Sequence, residues 1–392
     1  ILKTAFIIFV SVSIILSALL SSCGRQPAPT STPTTQISKQ IPNQNVKEII
    51  NWLKTNVSPE TGLPLSFQLP KGEEKEIYSQ MGEANSVAGI IERIIVNEGL
   101  DIYDGACAQI LLSAVGGKDN LRIASIPVNH YWAGSLGELQ SIRAGYIAGD
   151  LAQPFVYDLN NPEAVTGSLD GKGKRGFIFR IINANGKYNT ADPLDGKTYF
   201  EGFPTWPTIH LEDWKPISGE NAWVVMSSLQ LYYAKYPGAD AKQYSINKNP
   251  TEEMELAEEL ARAAMLLQAD NGGIRMAPIG TYHEQGNEFY YNEISTENNL
   301  SWYAAFRMLY QVTDKPKYKQ AMENIEGYFK SVWDSRSNTF YQGAHYINGQ
   351  WIPNDSNFAV DCQTWAIDVL GAEKIDSWFG EGAAYRMWQE TK

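Results

Sequence analysis

From Leu300 to Tyr310 the chain is apolar around nearly the whole circumference of a helix, and its polar residues Glu297, Asn298 and Asn299 are gathered just ahead of that run. Ser295 or Thr296 can cap the helix. The arrangement recurs three times: Tyr103-Asp104 before Ala106 to Val115, Glu220-Asn221 before Ala222 to Leu231, and Asp361-Cys362-Gln363 before Thr364 to Leu370. A helix apolar on all sides is buried, so the pattern predicts four buried helices with polar N-terminal ends. Such ends carry unpaired N–H groups and the positive end of the helix dipole, which suit a carboxylate or a sugar hydroxyl. Four of them imply one shared cavity.

Between these runs lie amphipathic segments. Thr251 to Gln268 is apolar at Met254, Ala257, Leu260, Ala261, Ala264 and Leu267; Pro316 to Trp333 is apolar at Tyr318, Ala321, Met322, Ile325, Phe329 and Val332, with Asp314 as its expected cap. Each buried helix followed by a half-exposed one reads as a helical hairpin, an inner ring wrapped by an outer ring. Val46 to Leu53 predicts a first helix, Gly62 to Phe67 an extended piece, and Glu83 to Val96 an amphipathic helix. From Pro127 to Gly219 the pattern loosens into loops carrying Tyr131, Trp132, Trp206 and Trp214, read as a cavity rim, with a hairpin expected over Ile181 to Tyr188. Short strands are expected from Thr339 to Tyr346, with a turn at Asn348-Gly349 before Trp351.

The N-terminal stretch changes the picture. Lys3 precedes an apolar run to Leu20, which stops at Ser21-Ser22-Cys23-Gly24 in the manner of a bacterial lipoprotein signal. Residues 1–22 are therefore expected to be removed, with Cys23 lipidated as the new N-terminus; a retained membrane anchor is the alternative. Residues 23–45, rich in Pro, Thr, Gln and Ser, read as a tether, and 46–392 as one domain. The body is expected outside the cytoplasm, at the bacterial cell envelope. Only Cys107 and Cys362 remain for the fold, too few for a disulfide scaffold or a cysteine zinc site.

Composition narrows the partners. Of 392 residues 43% are hydrophobic and 12% aromatic, enough for a large core, and the net charge of −12 argues against nucleic acid. Flat aromatic rings also stack on sugar faces. The four histidines show no paired metal-ligand spacing, and neither a phosphate-binding glycine loop nor a Gly-x-Ser-x-Gly elbow appears, so no metal and no cofactor are expected.

The layout from Tyr103 onward resembles the six-hairpin glycosidases, all-α proteins with an (α/α)6 toroid, short β-hairpins and long rim loops. Tyr103-Asp104-Gly105-Ala106, Gly219-Glu220-Asn221-Ala222-Trp223, Ser295-Thr296-Glu297-Asn298-Asn299-Leu300 and Asp361-Cys362-Gln363-Thr364-Trp365-Ala366 look like the inner-helix motifs of a bacterial group in that family. In that group the third motif more often carries histidine where Asn298 stands, and an acid where Ser301 stands. The resemblance implies a carbohydrate-active protein, by glycoside hydrolysis or by polysaccharide elimination.

Hydrolysis needs one protonated and one ionised carboxyl group across the scissile bond. Glu297 is the expected acid, because desolvation beside an apolar helix raises a carboxyl pKa; Asp104 is the expected base, with Glu220 as the alternative. Tyr103, Asn221, Trp223, Asn298, Asn299, Trp302, Asp361, Gln363 and Trp206 are the expected sugar contacts. An elimination would use Tyr103 or His210 as base. A third reading is a glycan-binding lipoprotein without catalysis, to which the Asn298 and Ser301 departures point.

Overall fold

The computed structural model describes residues 44–59, 61–68, 72, 97, 99–135, 166–167, 175–178, 180–183, 190–191, 198–199, 217–238, 244, 251–277, 290–354 and 358–392. Their helices are α1 (Gln44–Thr55), α2 (Ile102–Val115), α3 (Lys118–Ser135), α4 (Ser218–Lys235), α5 (Glu252–Leu266), α6 (Thr296–Thr313), α7 (Pro316–Ser331), α8 (Val360–Leu370), α9 (Ala372–Phe379) and α10 (Ala383–Glu390). The longer strands are β1 (Gly99–Asp101), β2 (Ile181–Asn183), β3 (Glu293–Ser295), β4 (Gly343–Ile347) and β5 (Gln350–Asn354). None of the described helices is long and apolar enough to cross a membrane.

Burial separates the helices into two layers. α4 and α6 are buried on nearly every side, whereas α7 buries only the stripe Tyr318, Ala321, Ile325, Tyr328 and Phe329. Removing Ile325 or Phe329 from water contributes about 1.5–3 kcal/mol each. The inner helices are neighbours in sequence order, α2 on α4, α4 on α6 and α6 on α8, and each is backed by its own partner: α3, α5, α7, and α9 with α10. α8, expected to be buried all round, buries only Cys362, Gln363, Ala366, Val369 and Leu370. This is the all-α (α/α)6 toroid arrangement, with four hairpins among the described residues. β1 pairs antiparallel with β2, and β4 lies between β3 and β5. Because β1 ends at Asp101 and β3 at Ser295, these strands lead directly into the N-termini of α2 and α6 and rim the mouth.

One joint recurs at three inner helices. Asn221, Asn299 and Gln363 each occupy the fourth position of their helix and are fully buried. The Asn221 carbonyl accepts from Ile178 N at 2.8 Å, while its NH2 donates to Ile178 O at 3.0 Å and Ile217 O at 2.9 Å. Asn299 does the same with Ile274 N (2.7 Å), Ile274 O (3.0 Å) and Ser295 O (2.8 Å). Gln363 does so with Phe340 N and O (both 2.8 Å) and Ala359 O (3.1 Å). A side-chain amide thus pairs with both polar groups of one residue in the segment leading to the mouth, satisfying groups that would be costly to bury alone. In α2 the fourth position is Gly105; a Cβ there would lie 2.2 Å from the Tyr131 hydroxyl.

Several boundaries differ from expectation for identifiable reasons. α2 begins at Ile102 rather than Asp104, because Asp101 caps it by accepting from Tyr103 N at 2.8 Å. α3 runs through Pro127, since Ala124, Val128 and Tyr131 continue its buried stripe; Tyr131 is therefore core, not rim. Asp314, expected to cap α7, instead ends α6 at φ 52°, a conformation that aspartate tolerates, and α7 starts with Pro316 after Lys315. Ile181–Asn183 pairs with β1, in register Gly99↔Asn183, Leu100↔Ile182, Asp101↔Ile181; the turn expected after it lies outside the described residues. So do the expected helix at 83–96, Cys23 with its tether, and Trp206.

Candidate functional site

Local sequence aims the site. Ser295 caps α6, its hydroxyl accepting from Asn298 N at 3.2 Å, which starts the helix at Thr296 and places Glu297 in the first turn. Asp361 lies in the first turn of α8, Glu220 in that of α4 and Asp104 in that of α2. The four turns converge. The Tyr103 and Trp223 rings meet edge to face at 4.9 Å, and Trp223 meets Trp365 at 5.8 Å, so α2, α4 and α8 share an aromatic floor. Arg180 stands 3.1 Å from Glu220 and 3.7 Å from Asp101, linking the mouths of α4 and α2.

Five carboxyl groups face this floor, and their electrostatics set them apart. Burial, then the charges of Asp361 and Glu220, push Glu297 up to about 7 despite the opposing Arg180. Burial, then Asp104 and Glu220, push Asp101 up to about 7 against the Tyr103 amide and Arg180. Asp104 is raised by burial, with a Ser66 hydrogen bond and Arg180 pulling the other way. Asp104 is nonetheless an exposed residue. Tyr103 is raised well beyond its usual range by burial and by Cys107, Glu297 and Asp104. That phenol stays protonated and can donate a hydrogen bond but not take a proton. The thiols of Cys107 and Cys362, just inside two mouths, are likewise pushed up by burial and are free.

The expected sugar contacts divide. Tyr103 and Trp223 meet at the floor together with Trp365, which was not among the expected contacts, and Glu297, Glu220, Asp104 and Asp361 lie around them. Asn221, Asn299 and Gln363 are occupied by backbone, as described above, and have no polar atom left for a ligand. Asn298 is buried, donates to the Ser218 hydroxyl at 3.4 Å and fills the space over Gly219, where a Cβ would lie 2.2 Å from its Oδ1. Trp302 is fully buried, 5.9 Å from Phe177 and 5.3 Å from Phe306, and packs in the core. It stands one position later in its helix than Trp223 and Trp365 do in theirs. One residue is about 100° of helix, and Ser301 takes the position facing the floor.

Three participants escaped the sequence reading. Asp101 precedes a run that already had an acid, and Arg180 and Ser66 come from extended segments without periodicity. No group of three or more His, Cys, Asp or Glu suited to hold a metal ion occurs among the described residues.

No family model and no curated protein matches the sequence. Among solved structures, a sugar epimerase from a ruminal bacterium is similar at 12% identity and a TM-score of 0.47, covering 88% of this chain and 70% of its own. A family 76 glycoside hydrolase from a bovine Bacteroides thetaiotaomicron strain is similar at 11% identity and a TM-score of 0.34, covering 74% of this chain and 56% of its own. The chemistry in those two descriptions belongs to those proteins.

Proposed function

We propose that the chain is a carbohydrate-active protein, and specifically a glycoside hydrolase working at this mouth. The observation that carries the reading is Glu297: among the described residues nothing hydrogen-bonds its carboxyl, and it sits in the electrostatic reach of Asp361 and Glu220 beside the Tyr103–Trp223–Trp365 floor. A sugar ring stacked on that floor would meet a carboxyl that holds its proton near neutral pH and is free to donate it to a leaving oxygen. Asp104, reached by solvent and favoured in its ionised form by Arg180, is the partner that would activate water; Glu220, paired with Arg180, is the alternative.

Elimination through Tyr103 is disfavoured by the raised phenol. Binding without turnover is the second reading, and one observation favours it: the side chains at 298 and 301 are an amide and an alcohol, which do not titrate, and both are buried and hydrogen-bonded to neighbouring groups rather than open to a ligand. Reducing-sugar release by the full chain across neutral and acidic polysaccharides, with Glu297→Gln alongside, decides between the readings. Turnover that the folded mutant loses supports hydrolysis. Calorimetric binding with no turnover on any glycan replaces it with the binding protein.

The same reading includes lipidation at Cys23 and attachment to the cell envelope. Incorporation of labelled palmitate that Cys23→Ala abolishes is the expected result; unlabelled wild-type protein refutes it.

A further inference from the structure

β4 and β5 form a hairpin whose turn residues, Asn348 and Gly349, have φ of 53° and 83°, the positive values that a tight two-residue turn requires. The turn fixes the register. Tyr346 stands directly opposite Trp351, with their ring centroids 5.0 Å apart. Two other segments hold the pair. The Arg275 guanidinium lies over the Trp351 ring at 5.0 Å and over Tyr291 at 4.0 Å, and the Trp351 indole N–H donates to Asp270 Oδ1 at 2.8 Å. Trp351 is thus fixed by its edge and by a cation, whereas Tyr346 is 38% exposed and Asp270 is also exposed.

This cluster is fastened to the mouth from two sides. Arg275 lies between Ile274, which Asn299 of α6 binds, and Met276, whose N–H donates to Glu293 O at 2.8 Å and whose carbonyl accepts from Ser218 N at 2.8 Å, at the start of α4. On the hairpin side, Gly343 pairs with Ser295, the cap of α6. Tyr346 is three residues further along β4, ~10 Å from that pair at the rise of a strand. A sugar ring held at Glu297 would not reach it, but a later unit of the same chain would.

We infer that the Tyr346 and Trp351 rings, with Asp270 at their edge, form a second sugar subsite on the rim, which takes an outer pyranose unit of a glycan held at the mouth. This rests on the carbohydrate reading above and makes the ligand a chain of several units. The C–H face of a pyranose is apolar and stacks on a flat ring, while an exposed carboxylate accepts from its hydroxyls. The opposite face of the hairpin offers neither: it exposes the aliphatic Ile347 and Ile352 and supplies a control.

The test is calorimetry of the full chain carrying Glu297→Gln, chosen so that substrate is not consumed, with disaccharides and hexasaccharides of glucose, mannose and xylose. At least one hexasaccharide should bind more tightly than its disaccharide. Tyr346→Ala and Trp351→Ala should each weaken hexasaccharide binding about tenfold and leave disaccharide binding unchanged. Trp351→Phe, which keeps a ring, should retain most of the gain, and Ile352→Ala all of it. Thermal melts establish that each variant is folded, and Tyr346, at the surface, can be truncated without opening the core.

A hexasaccharide advantage that survives in folded Tyr346→Ala and Trp351→Ala overturns the subsite, as does the absence of any such advantage before those changes. If the advantage is lost as expected but the chain with Glu297 intact turns over no glycan, the subsite stands and the hydrolase reading fails. Binding to no glycan of the panel removes both.

Discussion

Replacing Asn299 by alanine removes three hydrogen bonds at once, to Ile274 N at 2.7 Å, Ile274 O at 3.0 Å and Ser295 O at 2.8 Å, from a fully buried position. Each bond contributes about 1 kcal/mol net, and the groups left behind are backbone atoms that water does not reach, so the expected loss is ~3–5 kcal/mol. Asn299→Asp separates hydrogen bonding from shape. One carboxylate oxygen can still accept from Ile274 N, but the other would face two carbonyl oxygens. The introduced acid is therefore favoured protonated in the fold, with a pKa above its unfolded value. Its penalty should be small below pH ~4 and grow as pH rises toward the folded pKa. Urea unfolding of the full chain, followed by tryptophan fluorescence at two pH values, measures both effects. A loss below about 1 kcal/mol for Asn299→Ala, or no pH dependence for Asn299→Asp, would refute the account of this joint.

Other outcomes follow from the same contacts. Turnover should fall as pH rises through about 7 as Glu297 loses its proton, and Glu297→Gln should lower kcat by about 10²–10⁴-fold. Because the folded pKa values of Asp101 and Glu297 are raised, their contribution to stability is full below the unfolded carboxylate pKa and declines as pH climbs to about 7; Glu297→Gln should flatten part of that decline in thermal melts. Gly219→Ala should cost about 1–3 kcal/mol in urea, since its Cβ would lie 2.2 Å from Asn298 Oδ1; a neutral result would contradict the close approach of α4 and α6. Trp223→Ala should abolish calorimetric glycan binding, while Trp302→Phe should leave binding intact; the reverse order would move the floor elsewhere.

What the sequence made legible is what periodicity carries. The runs apolar on every side mark α2, α4 and α6 as buried helices, whereas α8 is buried on one side only, and the stripes over 251–268 and 316–333 mark two outer partners to within two residues at their ends. The acidic first turns of those helices do meet around one floor. The amides at 221, 299 and 363 are expected at sugar hydroxyls and instead bind backbone. Their partners are single backbone residues tens of positions away or across a loop, a relation that leaves no local pattern. Trp302, like Trp223, follows a polar mouth and is therefore expected at the sugar. A one-residue offset, invisible until the first helical residue is fixed by the Ser295 cap, turns it into the core. Arg180, Ser66 and Asp101 were missed for a related reason: strands β1 and β2 bring them together, and neither strand has length enough to show alternation.

An amide side chain that pairs with a peptide unit recognises nothing about the residue to which that unit belongs. At Ile178, Ile274 and Phe340 the joints to α4, α6 and α8 are made to main chain alone. The fastening therefore depends on the backbone N–H and C=O of those residues, while their buried side chains are held by a separate constraint, the packing of the core. Holding the inner helices in place and filling the core around them are kept on separate sets of atoms.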